Sequence, residues 1–172
     1  MYSKPRLVEI LRERALERGE FTLASGKKSP YYIDVKKAYT DPKVLKMIAE
    51  GMNEAIGDEE IDRVAGVEVG AVPLAAALSL ESGIPFVMIR KGVRMHGTGR
   101  RVEGELNPGE KVVIVEDVTT TGASVASAVN VIRREGGICD KVIAVVDRLE
   151  GASENLKKLN IALVSLVTMK DL

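Results

Sequence analysis

Hydrophobic and polar positions follow a helical period in the first third of this chain. The first amphipathic stretch begins near Pro5 and stops before Gly19, and its apolar positions are Leu7, Val8, Leu11, Ala15 and Leu16. The second follows Asp41-Pro42, a typical N-cap and first turn, and stops near Gly57; its apolar positions are Val44, Leu45, Ile48, Ala49 and Met52. Apolar residues spaced three and four apart predict two helices that each pack one face on a core.

From residue 63 onward, short apolar runs alternate with helical segments. The predicted strands are 63–69, 86–89, 112–115, 142–146 and 161–167, and the predicted helices are 73–80, 124–134 and 152–159. Strands that alternate with helices indicate an α/β fold, a doubly wound (Rossmann-like) parallel sheet with helices on both faces. The sequence shows no repeat, low-complexity tract or linker, so we expect residues 1–172 to form a single domain.

The stretch from about 90 to 110 interrupts this alternation, because it has no convincing periodicity. It carries several cationic side chains before its first acid, Glu103, and they are Arg90, Lys91, Arg94, His96, Arg100 and Arg101. Gly92, Gly97 and Gly99 lie among them. A long connection without regular structure inside a small domain is more often functional than accidental. We interpret residues 90–110 as a lid that closes over a polyphosphate; the alternative is a solvated, charged hairpin.

Residues 112–124 are the most informative segment. Four apolar residues predict a strand buried on both faces, and Glu116 and Asp117 are expected where that strand ends. Hydroxyl-bearing and small residues then lead into a helix. Carboxylates can accept hydrogen bonds from vicinal sugar hydroxyls, while loop amides, hydroxyls and a helix N-terminus can hold a phosphate. The segment therefore predicts a site for a phosphorylated sugar, and the alternative is an ordinary strand-to-helix turn.

Composition narrows the functional classes. The 172 residues carry no formal net charge at pH 7, which argues against a general nucleic-acid or membrane-surface binder. No apolar run is long enough for a membrane span, and the charged N-terminus is unlike a signal peptide. The single cysteine, Cys139, cannot form an internal disulfide, so we expect a cytoplasmic protein. The single histidine excludes a His-rich metal site.

The segment 112–124 resembles the phosphoribosyl-diphosphate signature of the type I phosphoribosyltransferases. The resemblance implies that fold, with a small N-terminal hood largely from residues 20–40. It also implies that 5-phospho-α-D-ribose 1-diphosphate (phosphoribosyl diphosphate) binds at a continuous set of residues: Glu116, Asp117, Val118, Thr119, Thr120, Thr121, Gly122, Ala123 and Ser124. Glu116 and Asp117, the acid pair, would hold the ribose hydroxyls, and residues 119–124, the phosphate loop, would hold the 5′-phosphate.

Three further segments are similar to one branch of that family, the orotate phosphoribosyltransferases. Residues 90–97 resemble its flexible catalytic loop, which implies that diphosphate is bound by Arg90, Lys91, Arg94 and His96. Residues 21–34 resemble its segment over the pyrimidine, which points to Lys27 and Tyr32. Asp147-Arg148 resembles the place where the branch puts an arginine against the orotate carboxylate; the alternative for Arg148 is a surface ion pair with Glu150. The resemblance thus assigns orotate to Thr120 and Arg148, and catalysis to Lys91, Arg94, His96 and Asp117.

The resemblance implies transfer of the phosphoribosyl group to orotate, with Mg²⁺ as cofactor. Mg²⁺ would be held through the substrate diphosphate and not by protein ligands directly, and the enzyme would be a homodimer that shares its lid across subunits. The turn 68–73, the diphosphate turn, resembles the family's pyrophosphate loop. This chain departs from the commoner lysines of the family at Ala24, Val69 and Arg94. Two alternatives are a purine or uracil phosphoribosyltransferase, and a regulator that senses phosphoribosyl diphosphate.

Overall fold

The computed structural model describes residues 1–22, 26, 28–92 and 101–172. The helices of this part of the chain are α1 (Lys4–Arg14), α2 (Lys36–Tyr39), α3 (Pro42–Ile56), α4 (Val72–Ser82), α5 (Ala123–Arg134) and α6 (Ala152–Lys157). Its strands are β1 (Leu16–Thr22), β2 (Lys28–Ile33), β3 (Arg63–Val67), β4 (Phe86–Ile89), β5 (Val102–Glu103), β6 (Lys111–Thr119), β7 (Ile138–Asp147) and β8 (Ala162–Thr168). Within these residues, no helix is long and apolar enough to cross a membrane.

The main sheet has six strands in the order β5-β4-β3-β6-β7-β8. All neighbouring pairs are parallel except β4 with β5 at the edge. The chain builds outward from β3 through β4 on one side, then returns to place β6 on the other side of β3. The order of strands therefore reverses between β3 and β6, and in open α/β sheets such a switch point is where ligands bind, beyond the carboxyl ends of the strands.

Two apolar layers, one on each face of the sheet, confirm the predicted doubly wound α/β architecture. The long apolar run of β6 divides between them, since Val113 and Val115 face α1, α3 and α4, whereas Val112 and Ile114 face α5. All four are at most 1% exposed. Successive strand residues point to opposite faces, which is why a continuous apolar run, not an alternating one, marks this strand.

Helix α3 forms where the sequence predicts its second amphipathic helix. Asp41 is the N-cap of α3, and its carboxylate accepts a hydrogen bond from the Lys43 amide at 2.9 Å. At the other end Gly57 has φ of 66°, a conformation that favours glycine. The predicted strand 86–89 is likewise β4.

Three expectations about local structure are wrong in detail. The first helix ends at Arg14, and Leu16 begins β1, because residues 16–22 pair with β2 in an antiparallel hairpin. The signature strand continues through Thr119, since β7 pairs with it as far as Asp147; the acid pair therefore lies within β6, not beyond its end. The lid segment is not irregular throughout, because Val102–Glu103 pairs with β4.

The hood segment, residues 20–40, contains the end of β1, strand β2 and helix α2. It contacts the carboxyl edge of the main sheet through side chains, because the Arg148 guanidinium donates to Ser29 Oγ at 3.3 Å and the Tyr39 hydroxyl donates to the Gly70 carbonyl at 2.7 Å. The hood thus meets the sheet at the same edge as the switch point.

Candidate active site

The acid pair lies at the carboxyl end of β6, beside the switch point. Glu116 is 7% exposed, and the Asp117 side chain is 17% exposed. Amides of the strand orient both carboxylates: Asp117 N donates to Glu116 Oε1 at 3.1 Å, and Val118 N donates to Asp117 Oδ1 at 2.8 Å. Burial, and then the charge of Asp117, raise the pKa of the Glu116 carboxyl. Two adjacent carboxyl groups in a buried position are typical of functional sites.

The phosphate loop leads from β6 into α5. Gly122 occupies the N-cap position with φ of 80°, so no side chain caps the first turn of this twelve-residue helix. Gly122 also packs closely on α6, because a Cβ there would lie 3.2 Å from the Leu156 side chain. Asn155 Nδ2 donates to the Thr121 carbonyl at 3.0 Å and fixes the loop from the same helix. The first amides of α5 are therefore available to an anion.

The first and last residues of this loop have different surroundings. Thr119 is buried, and its hydroxyl donates to Asp147 Oδ1 at 3.3 Å. Its carbonyl accepts the Arg148 amide at 3.0 Å, which joins the ends of β6 and β7. Ser124, in contrast, is exposed and lines a cavity of about 190 Å³ together with Lys91 and Arg101.

Arg148 is the most deeply buried cation of the site at 5% exposure. Its guanidinium carbon lies 5.0 Å from the centre of the Tyr31 ring, and one terminal nitrogen donates to Ser29. Its Nε lies 2.8 Å from Glu150 Oε1, but without the alignment of a hydrogen bond, so this buried N–H has no hydrogen-bond acceptor. A buried guanidinium with an unsatisfied donor is suited to a planar carboxylate ligand.

The base of the lid is held by backbone contacts. Lys91 N donates to Glu68 Oε1 of the diphosphate turn at 2.7 Å. The Arg101 guanidinium donates to the carbonyls of Arg90 and Lys91, at 3.0 and 3.2 Å. The Arg90 guanidinium in turn pairs with Glu103 at 3.2 Å. Lys91 is thus fixed through its backbone, and its charge acts on Glu116 by lowering the pKa that burial raises.

Of the other predicted residues, Val118 and Thr120 are partly buried and Ala123 is exposed at the start of α5. The predicted residues outside residues 112–124 divide into two groups. Tyr32 is 41% exposed and its ring lies 5.7 Å from that of Phe21, whereas Tyr31 is partly buried against Arg148. Lys27, Arg94 and His96 lie outside the described residues, and their roles stay predictions.

Sequence reasoning did not single out four residues that the fold brings to the site: Ser29, Lys36, Tyr39 and Gly70. Ser29 and Gly70 lie in segments that the resemblance did cover, 21–34 and 68–73, but without a role of their own. Tyr39 acts through one hydroxyl contact and Gly70 through the absence of a side chain, so no local pattern marks these roles. Lys36 follows the segment 21–34 by two residues, and its charge near Tyr31-Tyr32 is the one signal that the sequence offers.

Comparison with known proteins gives consistent results. Residues 35–164 match the family model described as the phosphoribosyl transferase domain. The orotate phosphoribosyltransferase of Methanocaldococcus jannaschii is 56% identical over 173 residues, covering 100% of this chain and 98% of that protein. The crystal structure of orotate phosphoribosyltransferase from Aeropyrum pernix has a TM-score of 0.87 and 36% identity, covering 95% of this chain and 94% of that one.

A third relative was solved with a substrate. The Mycobacterium tuberculosis H37Rv orotate phosphoribosyltransferase in complex with 5-phospho-alpha-D-ribosyl 1-diphosphate has a TM-score of 0.83 and 30% identity, covering 98% of this chain and 97% of that chain.

Proposed function

The chain belongs to the orotate phosphoribosyltransferases of the phosphoribosyl transferase family, and on that premise we propose how its own residues carry out the reaction. It transfers the 5-phosphoribosyl group from phosphoribosyl diphosphate to orotate, giving orotidine 5′-phosphate and diphosphate, in pyrimidine biosynthesis. The observation that carries the choice of base is the buried Arg148, whose free N–H and stacked guanidinium suit the orotate carboxylate. A purine or uracil has no carboxylate for it, and a regulator has no need of it.

The residues divide the substrate between them. We assign the 5′-phosphate to the phosphate loop and the uncapped N-terminus of α5, and the ribose hydroxyls to the acid pair. Hydroxyl groups that donate to a carboxylate stabilise its ionised form, so binding of the sugar should lower the raised pKa of Glu116. Lys91 and the diphosphate turn face the leaving diphosphate, together with Arg94 and His96 by resemblance. Catalysis then consists mainly of positioning and charge stabilisation of an oxocarbenium-like transition state.

Mg²⁺ is proposed as the cofactor. The described residues contain no group of three or more His, Cys, Asp or Glu that could hold a metal ion. The paired carboxylates of Glu116 and Asp117 nevertheless supply hard oxygen atoms beside the position proposed for the sugar. This set fits a magnesium ion held mostly by substrate oxygens and water, as Mg²⁺ commonly is. When bound, the ion would neutralise diphosphate charge.

A homodimer is proposed as the working form, with the lid of one subunit reaching the site of the other. Helix α4 supports this, because it and the turn before it carry exposed apolar residues. Leu80 is 89% exposed, and Val69, in the turn that precedes the helix, is 77% exposed. The small residues Ala76 and Ala77 lie between them and are only partly buried. An apolar strip that begins at the active site and continues along a helix is typical of a contact with a second copy.

The remaining expectations concern the setting of the enzyme. We propose that it works in the cytoplasm on small molecules, without a nucleic-acid or membrane partner. Cys139 is a buried free thiol, and the net charge of the chain is zero. Neither feature would serve a secreted or a nucleic-acid-binding protein.

The test is an assay of diphosphate release from phosphoribosyl diphosphate and Mg²⁺ with a panel of acceptors. Orotate should support turnover, whereas uracil, adenine, guanine and hypoxanthine should not. Turnover with a purine, or equal turnover with uracil, would contradict the assignment of Arg148 and reopen the other phosphoribosyltransferase activities. Omission of Mg²⁺ should abolish turnover, and full activity in excess chelator would contradict the proposed cofactor.

A further inference from the structure

Lys36, on the hood helix α2, points toward the acid pair. Its ammonium lies 2.7 Å from Asp34 Oδ1 and 3.8 Å from Asp117 Oδ2. The side chain is 45% exposed, so one side of the ammonium remains open to solvent. The hydrogen bond that the ammonium donates to Asp34 is the main cause that raises the pKa of Lys36, and the charge of Asp117 adds to it. Lys36 is therefore a protonated, accessible cation beside the carboxylate proposed to bind the ribose.

Tyr39, one turn further along α2, holds this helix on the diphosphate turn. Its hydroxyl donates to the Gly70 carbonyl at 2.7 Å, and the ring is 4% exposed. Burial and the nearby Asp117 raise the pKa of Tyr39 to about 12, so the hydroxyl remains a donor at any pH of interest. The position of Lys36 relative to residues 68–73 is consequently fixed by a buried contact, although its own side chain is half-exposed.

Asp117 joins the two elements. A Cβ at Gly70 would meet Asp117 Oδ2 closer than van der Waals contact allows, and Oδ2 is also the oxygen nearest to Lys36. The space above this oxygen is therefore bounded by the acid, the diphosphate turn and the ammonium. Helix α4 begins at Val72, within this turn, and its N-cap residue Ala71 makes no side-chain cap hydrogen bond. The positive end of an eleven-residue helix and a lysine ammonium thus face the same space.

We propose that Lys36 is a diphosphate-binding residue of this enzyme, supplied by the hood of the same subunit that supplies the acid pair. The inference rests on the proposed function, because it takes the acid pair as the ribose site. The diphosphate is attached to C1 of the ribose, next to the hydroxyl-bearing C2, so it must lie within a few ångströms of Asp117. Lys36 pairs with Asp34 in the unliganded chain and moves onto the diphosphate when the substrate binds. Val69 contributes no charge to the turn, and Lys36 supplies it from the opposite side.

The test compares two adjacent lysines. Lys36→Met removes the proposed contact, and Lys37→Met is the matched control, because Lys37 pairs instead with Glu17 and is similarly exposed. Calorimetric titrations use phosphoribosyl diphosphate, inorganic diphosphate with Mg²⁺, and orotidine 5′-phosphate. The last ligand carries ribose hydroxyls, a 5′-phosphate and the base, but no diphosphate.

Lys36→Met should weaken phosphoribosyl diphosphate and inorganic diphosphate about tenfold, equivalent to ~1.4 kcal/mol. Orotidine 5′-phosphate should change less than about twofold, Lys37→Met should leave all three ligands unchanged, and Lys36→Arg should restore most of the diphosphate affinity.

Two outcomes would overturn the proposal: identical behaviour of the two methionine variants, or an equal loss for orotidine 5′-phosphate, which would place Lys36 on the ribose side. If Lys36→Met binds all three ligands as the wild type does, this inference is rejected and the proposed function is not affected. If the wild-type protein has no transferase activity, the proposed function is rejected, and the titrations still measure whether Lys36 binds diphosphate.

Discussion

At the scale of single residues, the site keeps ionisable groups where the unliganded protein gains little from them. Arg148 is buried with one N–H unsatisfied, and Glu116 is buried beside a second carboxyl group. Each arrangement costs stability in the absence of a ligand, because a buried polar group needs hydrogen-bond partners, and Glu150, although 2.8 Å from Arg148 Nε, is not aligned to accept from it. The substrates proposed here bring such partners, a carboxylate for Arg148 and sugar hydroxyls for the acid pair.

Arg148→Ala should lose orotate and keep phosphoribosyl diphosphate. Loss of a buried charge-assisted pair costs about 2–5 kcal/mol, which is roughly thirtyfold to several thousandfold in affinity. Arg148→Lys should recover only part of the loss, since an ammonium cannot form the two-pronged contact of a guanidinium. Calorimetric titration of both ligands against the three proteins checks this, and equal weakening of both ligands would point to structural damage.

Glu116→Gln should stabilise the unliganded protein as the pH rises. The folded state raises the pKa of Glu116, so the protonated form contributes stability that is fully present below the usual value of 4.5 and is lost as pH rises through the folded value. The variant cannot ionise and avoids this loss, by about 1 kcal/mol or more at pH 8, since one pKa unit is worth about 1.4 kcal/mol. Guanidinium chloride unfolding at pH 5 and pH 8 measures the difference.

Glu110 provides a control of opposite sign. Its hydrogen bonds from Arg63 and the Asn107 amide lower the pKa of its carboxyl to about 2. Stability from this group is present above the usual value and is lost as pH falls through the folded one. Glu110→Gln should therefore destabilise the protein at neutral pH. If the free energy of unfolding changes with pH in the same way for the wild type and for Glu116→Gln, the pKa of Glu116 is not raised in the folded protein.

At the scale of elements, a short ladder fixes both ends of the lid. Strand β5 pairs with β4, and Arg90 N donates to the Arg101 carbonyl at 2.8 Å. The Arg101 guanidinium donates back to the Arg90 carbonyl at 3.0 Å, so the two residues are linked in both directions. Glu68 then connects this base to the diphosphate turn through the Lys91 amide. Residues 90–91 and 101–103 are thus held together at the edge of the sheet, and the Lys91 amide ties them to the diphosphate turn.

Arg101→Ala should lower kcat about tenfold while leaving the melting temperature nearly unchanged. Two carbonyls at the base of the lid would lose their donor, and small misplacements of a catalytic group are costly. Arg134→Ala, an exposed arginine at the end of α5, is the control. Steady-state kinetics with both substrates separates the parameters; a rise in the KM for phosphoribosyl diphosphate at normal kcat would show instead that Arg101 binds the substrate directly.

Elements with strong local signals were predictable, and those made by pairing were not. Asp41 and Gly57 bound α3 as expected, and the apolar run at 112–115 marks the central strand. Leu16, however, fits the apolar period of α1, and only its pairing with Ile33 shows that it begins a strand. The positions of the acid pair and of Arg148 at the carboxyl edge of the sheet were predictable because each directly follows a buried run, whereas their roles came from the resemblance and stay predictions. Lys36 and Tyr39 reach the same edge through the packing of α2, which no local pattern encodes.

At the scale of the whole molecule, the proposed dimer rests on exposed apolar residues of α4 and of the turn before it. A subunit alone would leave Leu80 and Val69 in water, and a second copy can cover them. In the proposed dimer, the partner would also contribute lid residues to the active site.

Hybrid dimers test whether the lid acts across the interface. Mixing Arg94→Ala protomers with Asp117→Asn protomers places both defects in one site and leaves the other site intact, if the lid works in trans; Lys91 is unsuited to this test, because its charge acts on Glu116 of its own subunit. Verified hybrids should then recover about half of the wild-type activity, since one of two equivalent sites is whole. No recovery would mean that each lid serves its own subunit.

Leu80→Glu should yield monomers by sedimentation, and an unchanged dimer would place the interface elsewhere.

The close approach of Gly70 to Asp117 also restricts how this enzyme can evolve. Any side chain at position 70 would displace the Asp117 carboxylate, which already accepts a hydrogen bond from the Val118 amide. Gly70 binds no substrate through a side chain, yet it is subject to the same selection as Asp117. In a genetic screen, substitutions at this glycine should be recovered as loss-of-function alleles alongside those at Asp117. Substitutions of Gly70 will therefore not be neutral as long as the enzyme keeps an aspartate at position 117.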